Sequence, residues 1–463
     1  MIFSTPLFIF IFLPAFLGIY YLTPFKYRTY VILAGSWIFY GFWRIDFLCL
    51  VILTTAFNYY FGIVLDNSKL DEDGKKRILF VSVIANLAIL GYFKYFNFGI
   101  DSMNALLKTL GAGEITATRV ILPVGISFYI FQSLSYVIDV YRKDAPSSGD
   151  FITLAAYIAL FPQLIAGPIL RYKDVASQFR KREHSVVLFG EGFLLFASGL
   201  GRKVLIADTL APLVNSSFGL ASPSFADAWL GTAAYAVQLY FDFSGYSDMA
   251  IGLGMMIGFR FQKNFDAPYV SSSITEFWQR WHISLSSWLR DYLYIPLGGN
   301  RKGLYRTYVN LMTVMVLGGL WHGAAWNFAL WGVWHGVWLI VERMRKKPVF
   351  PTAAGWTRTM LIVLTGWVFF RAENMSGIIN MLRGMAGLNG FPVSASLNWQ
   401  ISRFSIAVLF IAAAVLFFEG EKIREKTMRF WAGIRPAVLF GFCCLSVFKL
   451  LADSYSPFLY FRF

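Results

Sequence analysis

Apolar runs long enough to cross a bilayer recur from one end of this chain to the other. A spanning helix needs about 20 mostly apolar residues, because lipid offers its backbone no hydrogen-bond partners. Runs of this kind lie near residues 5–22, 29–43, 47–65, 78–97, 119–138, 228–257, 308–322, 326–341, 356–371, 403–418 and 435–451. Of the 463 residues, 57% are apolar and only 14% charged, where soluble domains carry about 25% charged residues. A compact soluble fold could not hide so much apolar surface. The expected class is therefore all-α: a polytopic membrane protein with the lipid bilayer as its solvent, forming a single unit over 1–463. Within it we distinguish N-terminal spans (1–145), a polar-rich core (151–345) and C-terminal spans (356–463).

The net charge of +15 comes from loops. No basic soluble segment is present, so no nucleic-acid partner is expected. Lys26 and Arg28 follow the first run, Lys69, Lys75, Lys76 and Arg77 the third, and Arg142 and Lys143 the fifth. Basic loops stay cytoplasmic, which puts the N-terminus outside. That N-terminus, MIFSTPLFIFIFLP, lacks a basic leader and a small-residue cleavage site, so it is expected to be a retained span. Cys49, Cys443 and Cys444 lie in apolar runs and fit neither a disulfide framework nor a metal site.

Two stretches depart from simple spans. Residues 151–170 are apolar but end in AGPILR, and the next loop is basic: Arg171, Lys173, Arg180, Lys181 and Arg182. Gly167 and Pro168 break any helix there, so a re-entrant or interfacial piece is expected. Residues 260–306 are too polar to span and predict short helices at the cytoplasmic face. Further cytoplasmic loops are expected at Glu342–Lys347 and 419–429, with the C-terminal SPFLYFRF outside and the loop 373–400 an outward docking site.

The chain has four histidines. His184, among Lys181, Arg182 and Glu183, is expected to be solvated. His322 lies in MVLGGLWHGAAW, beside Trp321 and between glycines that permit close approach. An ionisable group at membrane depth is a functional candidate. A neutral imidazole there can take a proton from a hydroxyl as a general base; the plain alternative is a hydrogen bond to a neighbouring helix. His335 sits thirteen residues on in a similar Trp-His-Gly setting, and spacing does not choose between the two. His282, in WHISLSSWLRDY, either bonds a substrate carbonyl or anchors its loop.

Around His282, Trp278, Arg280, Trp281, Ser286 and Arg290 suit a phosphate-bearing ligand, as do Arg301 and Lys302. The alternative is ordinary cytoplasmic charge with interfacial tryptophans. Asp242, Ser244, Tyr246 and Asp248 interrupt an apolar helix, and buried carboxylates need partners. Neither G-x-S-x-G nor a Walker loop is present, so serine hydrolysis and ATP-driven transport lack motif support.

Five segments together resemble the membrane-bound O-acyltransferase family: FPQLIAGPILRY, QLYFDFSGYSDMAIGLGMMIGFRF, SITEFWQRWHISLSSWLRDYLYIPLGGNRKG, LGGLWHGAAWNFALWGVWHG and YSPFLYFRF. The resemblance implies about eleven spans plus helices dipping in from the cytoplasm, around a central tunnel. It implies a catalytic histidine at His322, with His282 at a second family position that is asparagine or histidine. It implies acetyl-CoA as donor substrate with no bound cofactor, and a bacterial inner-membrane location. It also implies a periplasmic SGNH-type acetyltransferase partner and an exported polysaccharide acceptor, alginate foremost, with peptidoglycan, cellulose and teichoic acid modified by relatives. The expected mechanism has His322 as base and His282 orienting the thioester; an acyl-His322 intermediate is the alternative. Rival classes are a channel or transporter, which lacks the paired broken spans usual for one, and a scaffold of an export complex.

Overall fold

The computed structural model describes residues 1–67, 69–165, 167–345, 352–418, 433 and 435–452. The described residues are helical, with no β-strand. The chain divides into two compact units, Met1–Gly192 with Ala250–Gln262, and Phe193–Met249 with Lys263–Phe463.

The first unit runs through α1 (Leu13–Leu22), α2 (Arg28–Gly41), α3 (Ile45–Asp66) and α4 (Glu72–Leu90). α4 continues through a wide turn into α5 (Phe96–Thr109), and α6 (Ile126–Arg142) follows. Packing combines close approach with polar clasps, as expected where lipid supplies no drive for helix association. A Cβ on Gly62 of α3 would lie 2.0 Å from the Tyr136 hydroxyl of α6. Asn58 and Asn86 exchange amide hydrogen bonds of 3.1 and 2.8 Å between α3 and α4. α6 starts later than the apolar run predicts. Gly125 before it has φ +75°, and a Cβ there would meet the Leu164 carbonyl oxygen at 2.6 Å.

The expected interruption at 151–170 is present. α7 (Phe151–Ile158) and α8 (Phe161–Leu164) give way to irregular backbone before α9 (Tyr172–Arg180). A Cβ on Gly167 would sit 2.4 Å from Gln163 Cα, so the chain closes on itself there. His184, expected to be solvated, is half-buried and hydrogen-bonded. Tyr20 donates its hydroxyl to the Ile257 carbonyl at 2.8 Å and therefore accepts from His184 Nε2 at 2.9 Å. Burial first, then Arg28 and Arg182, push this imidazole below its usual range.

α10 (Val186–Gly201), followed by α11 (Asp208–Phe218), and α12 (Phe225–Met256) supply residues to the second unit. There Gly199 of α10 and Gly245 of α12 meet backbone to backbone: a Cβ on either would approach the other's carbonyl oxygen to 2.3 or 2.6 Å. The polar region 260–306 forms short helices as expected, α13 (Ile274–Arg280) and α14 (Ile283–Leu289). Next come α15 (Gly303–His322), α16 (Trp326–Met344) and α17 (Ala353–Arg371). The expected docking loop holds α18 (Met375–Met385) and α19 (Ala395–Gln400), and α20 (Arg403–Phe418) and α21 (Arg435–Ala452) follow. The 419–429 loop, the C-terminal SPFLYFRF, Lys346 and Lys347 lie outside the described residues.

Three described helices are long and apolar enough to cross a membrane: Ile45–Asp66, the continuous Glu72–Thr109 and Ala353–Arg371. Phe8–Leu22, Phe151–Leu164, Arg403–Phe417 and Ala437–Ala452 are shorter apolar helices. α12, α15 and α16 form where spans were expected, and carry polar side chains such as Asp242, Asn310 and Asn327.

Candidate active site

α15 and α16 form a tight hairpin, because Gly319 and Gly332 let their backbones touch. A Cβ on Gly319 would meet the Phe328 carbonyl oxygen at 2.2 Å, and one on Gly332 the Met315 oxygen at 2.4 Å. α15 ends at His322, where Gly323 turns to extended backbone. His322 is buried, 5% exposed. Around its ring stand Trp321 at 5.1 Å, Trp331 at 5.3 Å and Phe370 at 5.3 Å between centroids.

His282 arrives from the turn between α13 and α14. It is left-handed, at φ +45° and ψ +54°, a conformation costly for a side chain with a Cβ. Asn264 holds that turn. Its Oδ1 accepts from the Ser284 amide at 3.2 Å and the Ser284 hydroxyl at 2.8 Å, and lies 3.1 Å from His282 Nδ1. Its backbone oxygen accepts from Ile283 N at 2.9 Å. His282 is 1% exposed, with the Phe243 ring edge-on at 4.7 Å. The His282 and His322 rings lie 6.2 Å apart. Two imidazoles, 40 residues apart in sequence, thus come together inside one buried aromatic cluster of the second unit.

The structure separates the two Trp-His-Gly histidines. His335 is fully buried among Trp278 at 5.1 Å, Trp331 at 5.1 Å and Phe277 at 6.4 Å. Neither of its ring nitrogens has a hydrogen-bond partner among the described residues. It shares Trp331, from α16, with His322, and among the described residues His322 is the one of the pair whose ring contacts His282.

The other expected site residues fall into groups. Trp281 is buried against Trp367 at 4.9 Å and Phe265 at 5.1 Å, so it builds the aromatic wall. Trp278 packs on Trp331 at 5.4 Å. Ser286 donates to the Trp281 carbonyl at 3.4 Å. Arg280 is held by Glu276 at 3.0 Å and Asp266 at 3.7 Å, whereas Arg290, paired with neighbouring Asp291, has 63% of its side chain exposed. Asp242 is answered by a buried cation: Lys203 lies 3.2 Å from it and 2.5 Å from Asp208. Ser244 and Tyr246 are buried in the same helix. The member of α12 that touches His282 is Phe243.

Sequence reasoning missed Asn264 and Glu342. The Glu342 carboxylate accepts from the Ile274 and Thr275 amides, at 2.7 and 2.9 Å, and so caps α13 from α16. Among the described residues no group of three or more His, Cys, Asp or Glu is placed to hold a metal ion.

The sequence profile of MBOAT, the membrane-bound O-acyltransferase family, matches residues 32–371. The chain belongs to this family. It is an O-acyltransferase and a membrane protein. A probable alginate O-acetylase, AlgI, of Pseudomonas putida is 48% identical, with all of both chains aligned. The peptidoglycan O-acetyltransferase of Helicobacter pylori is 34% identical over the whole chain and 98% of its own length. The teichoic acid D-alanyltransferase of Bacillus subtilis is 27% identical over 52% of this chain and 65% of its own. In an O-acyltransferase, two imidazoles buried among aromatic rings suit transfer of an acyl group to a hydroxyl without loss to hydrolysis.

Proposed function

We propose that this O-acyltransferase passes acetyl from cytoplasmic acetyl-CoA across the bacterial inner membrane to an acceptor hydroxyl, for O-acetylation of an exported polysaccharide, alginate, with its N-terminus outward. The observation that carries the reading is the buried His322–His282 pair, 6.2 Å between rings, inside an aromatic shell. The relatives support this acceptor. Proteins named for alginate O-acetylation are 43–48% identical over the full chain, against 34% for the peptidoglycan enzyme.

His322 is the general base. It takes the hydroxyl proton as oxygen attacks the thioester carbonyl; the C–O bond forms, the C–S bond breaks, and the proton passes to the departing sulfur. Trp321, Trp331 and Phe370 exclude water, so acetyl is not lost to hydrolysis. The exposed Arg290, with Arg301 and Lys302, supplies charge for the donor's phosphates. A periplasmic SGNH-type protein docks on the outward 373–400 segment and completes delivery to the polymer.

The test is His322→Ala in the full-length protein, produced in a strain lacking the native gene. Expected is loss of acetyl from exported alginate with unchanged protein in the membrane. Full acetylation in that strain overturns the assignment. Loss of acetyl from peptidoglycan, with alginate unaffected, replaces the acceptor.

A further inference from the structure

The hydrogen bonds around Asn264 fix the proton on His282. A backbone amide only donates, and the Ser284 amide points at the Asn264 side chain at 3.2 Å, so the facing atom is the amide oxygen. The same oxygen receives the Ser284 hydroxyl at 2.8 Å and faces His282 Nδ1 at 3.1 Å. An oxygen that cannot donate leaves Nδ1 one role: it carries hydrogen. In a neutral imidazole Nε2 is then bare. Nε2 is buried and has no hydrogen-bond partner among the described residues.

We infer that Asn264 is a positioning residue for acyl transfer: it holds His282 as the Nδ1–H tautomer, so that Nε2 accepts the N–H of His322 and leaves the other His322 nitrogen bare for the hydroxyl. The inference rests on His322 being the base. It reverses the expectation that His282 bonds the thioester oxygen, since a neutral ring fixed this way has no hydrogen to give at Nε2. The order Asn264–His282–His322 repeats the logic of a base oriented by a third group. A direct N–H···N bond brings imidazole centroids to about 5 Å. The observed 6.2 Å needs a closing of about that difference, and catalytic hydrogen bonds commonly tighten when substrate binds. Proton balance is unchanged: the hydroxyl proton goes to His322 and then to sulfur, and His282 keeps its own.

Because Asn264 also ties down the turn, activity loss alone does not distinguish the roles. The experiment measures kcat and KM for acetyl-CoA with the full-length protein in membranes. Asn264→Leu is expected to lower kcat roughly 10- to 100-fold with KM little changed. Asn264→Asp keeps an acceptor oxygen on Nδ1 and is expected to restore most of that loss. In His282→Asn, an amide oxygen accepts from His322 with no tautomer to fix. Adding Asn264→Leu to that variant is expected to cost less than about threefold more. If Asn264→Leu does not insert, Asn264→Asp decides alone: kcat within about tenfold of the parent supports the inference. Wild-type kcat in Asn264→Leu overturns it, as does an inserted Asn264→Asp protein without activity. Equal losses from Asn264→Leu in both backgrounds also overturn it. Activity surviving His322→Ala instead removes the underlying reading.

Discussion

The Glu342 carboxylate accepts the Ile274 amide hydrogen at 2.7 Å, so the end of α16 seats the start of α13. α13 leads directly into Trp281 and His282. Glu342 also receives the Thr275 amide and hydroxyl, at 2.9 and 3.0 Å. Glu342→Ala strips these partners from a helix N-terminus, an effect of about 1–2 kcal/mol. A lower thermal midpoint in detergent is expected, together with reduced acetyl transfer, because the turn carrying His282 loses its anchor. An unchanged midpoint and rate would show that α13 is held by its aromatic contacts alone.

His335 offers the opposite case. Its nitrogens have no hydrogen-bond partner among the described residues and its walls are Trp278, Trp331 and Phe277. Replacing an unsatisfied buried polar group by an apolar one of like shape is near neutral or stabilising. His335→Leu is therefore expected to keep acetylation within about threefold of the parent and to leave the thermal midpoint equal or higher. The corresponding His322→Leu protein should be inactive. A dead His335→Leu protein of normal stability would give His335 a chemical role.

Gly319→Ala places a methyl 2.2 Å from the Phe328 carbonyl oxygen, and that oxygen belongs to backbone. Relief requires α15 and α16 to separate, less than one turn from His322. Overpacking of this kind costs about 1–3 kcal/mol. Acetyl transfer should fall well beyond what the stability loss explains. Wild-type transfer would show that the hairpin spacing is not what sets His322.

Lys203 lies fully buried between Asp208 and Asp242. Removing one partner of a buried ion pair typically costs about 3–5 kcal/mol, whereas neutralising both is far milder. Lys203→Met should lower the amount of inserted protein sharply, and adding Asp242→Asn should recover part of it. Equal amounts of the single and double variants would mean that Asp242 does not depend on this cation.

Amphipathic bookkeeping made much of this legible in the chain. The helices recur where the apolar runs do, Gly167 and Pro168 mark a real break, and the polar 260–306 stretch does form short helices. Local chemistry suffices there, because a helix boundary is settled by a few neighbouring residues. Even so, α6 starts late at Gly125, where a carbonyl from a distant turn requires the missing Cβ.

Composition and pattern by themselves determined that the chain is helical, suited to lipid, and equipped with a few buried imidazoles. Only tertiary structure decided which imidazoles meet. His322 and His335 have near-identical neighbours in sequence, yet one lies 6.2 Å from His282 and the other in an aromatic box. Asn264 and Glu342 read as loop residues until the fold brings them to Nδ1 of His282 and the N-terminus of α13. The physical reason is that hydrogen-bond partnership and burial depend on distance in space, to which spacing along a chain is blind beyond a helical turn.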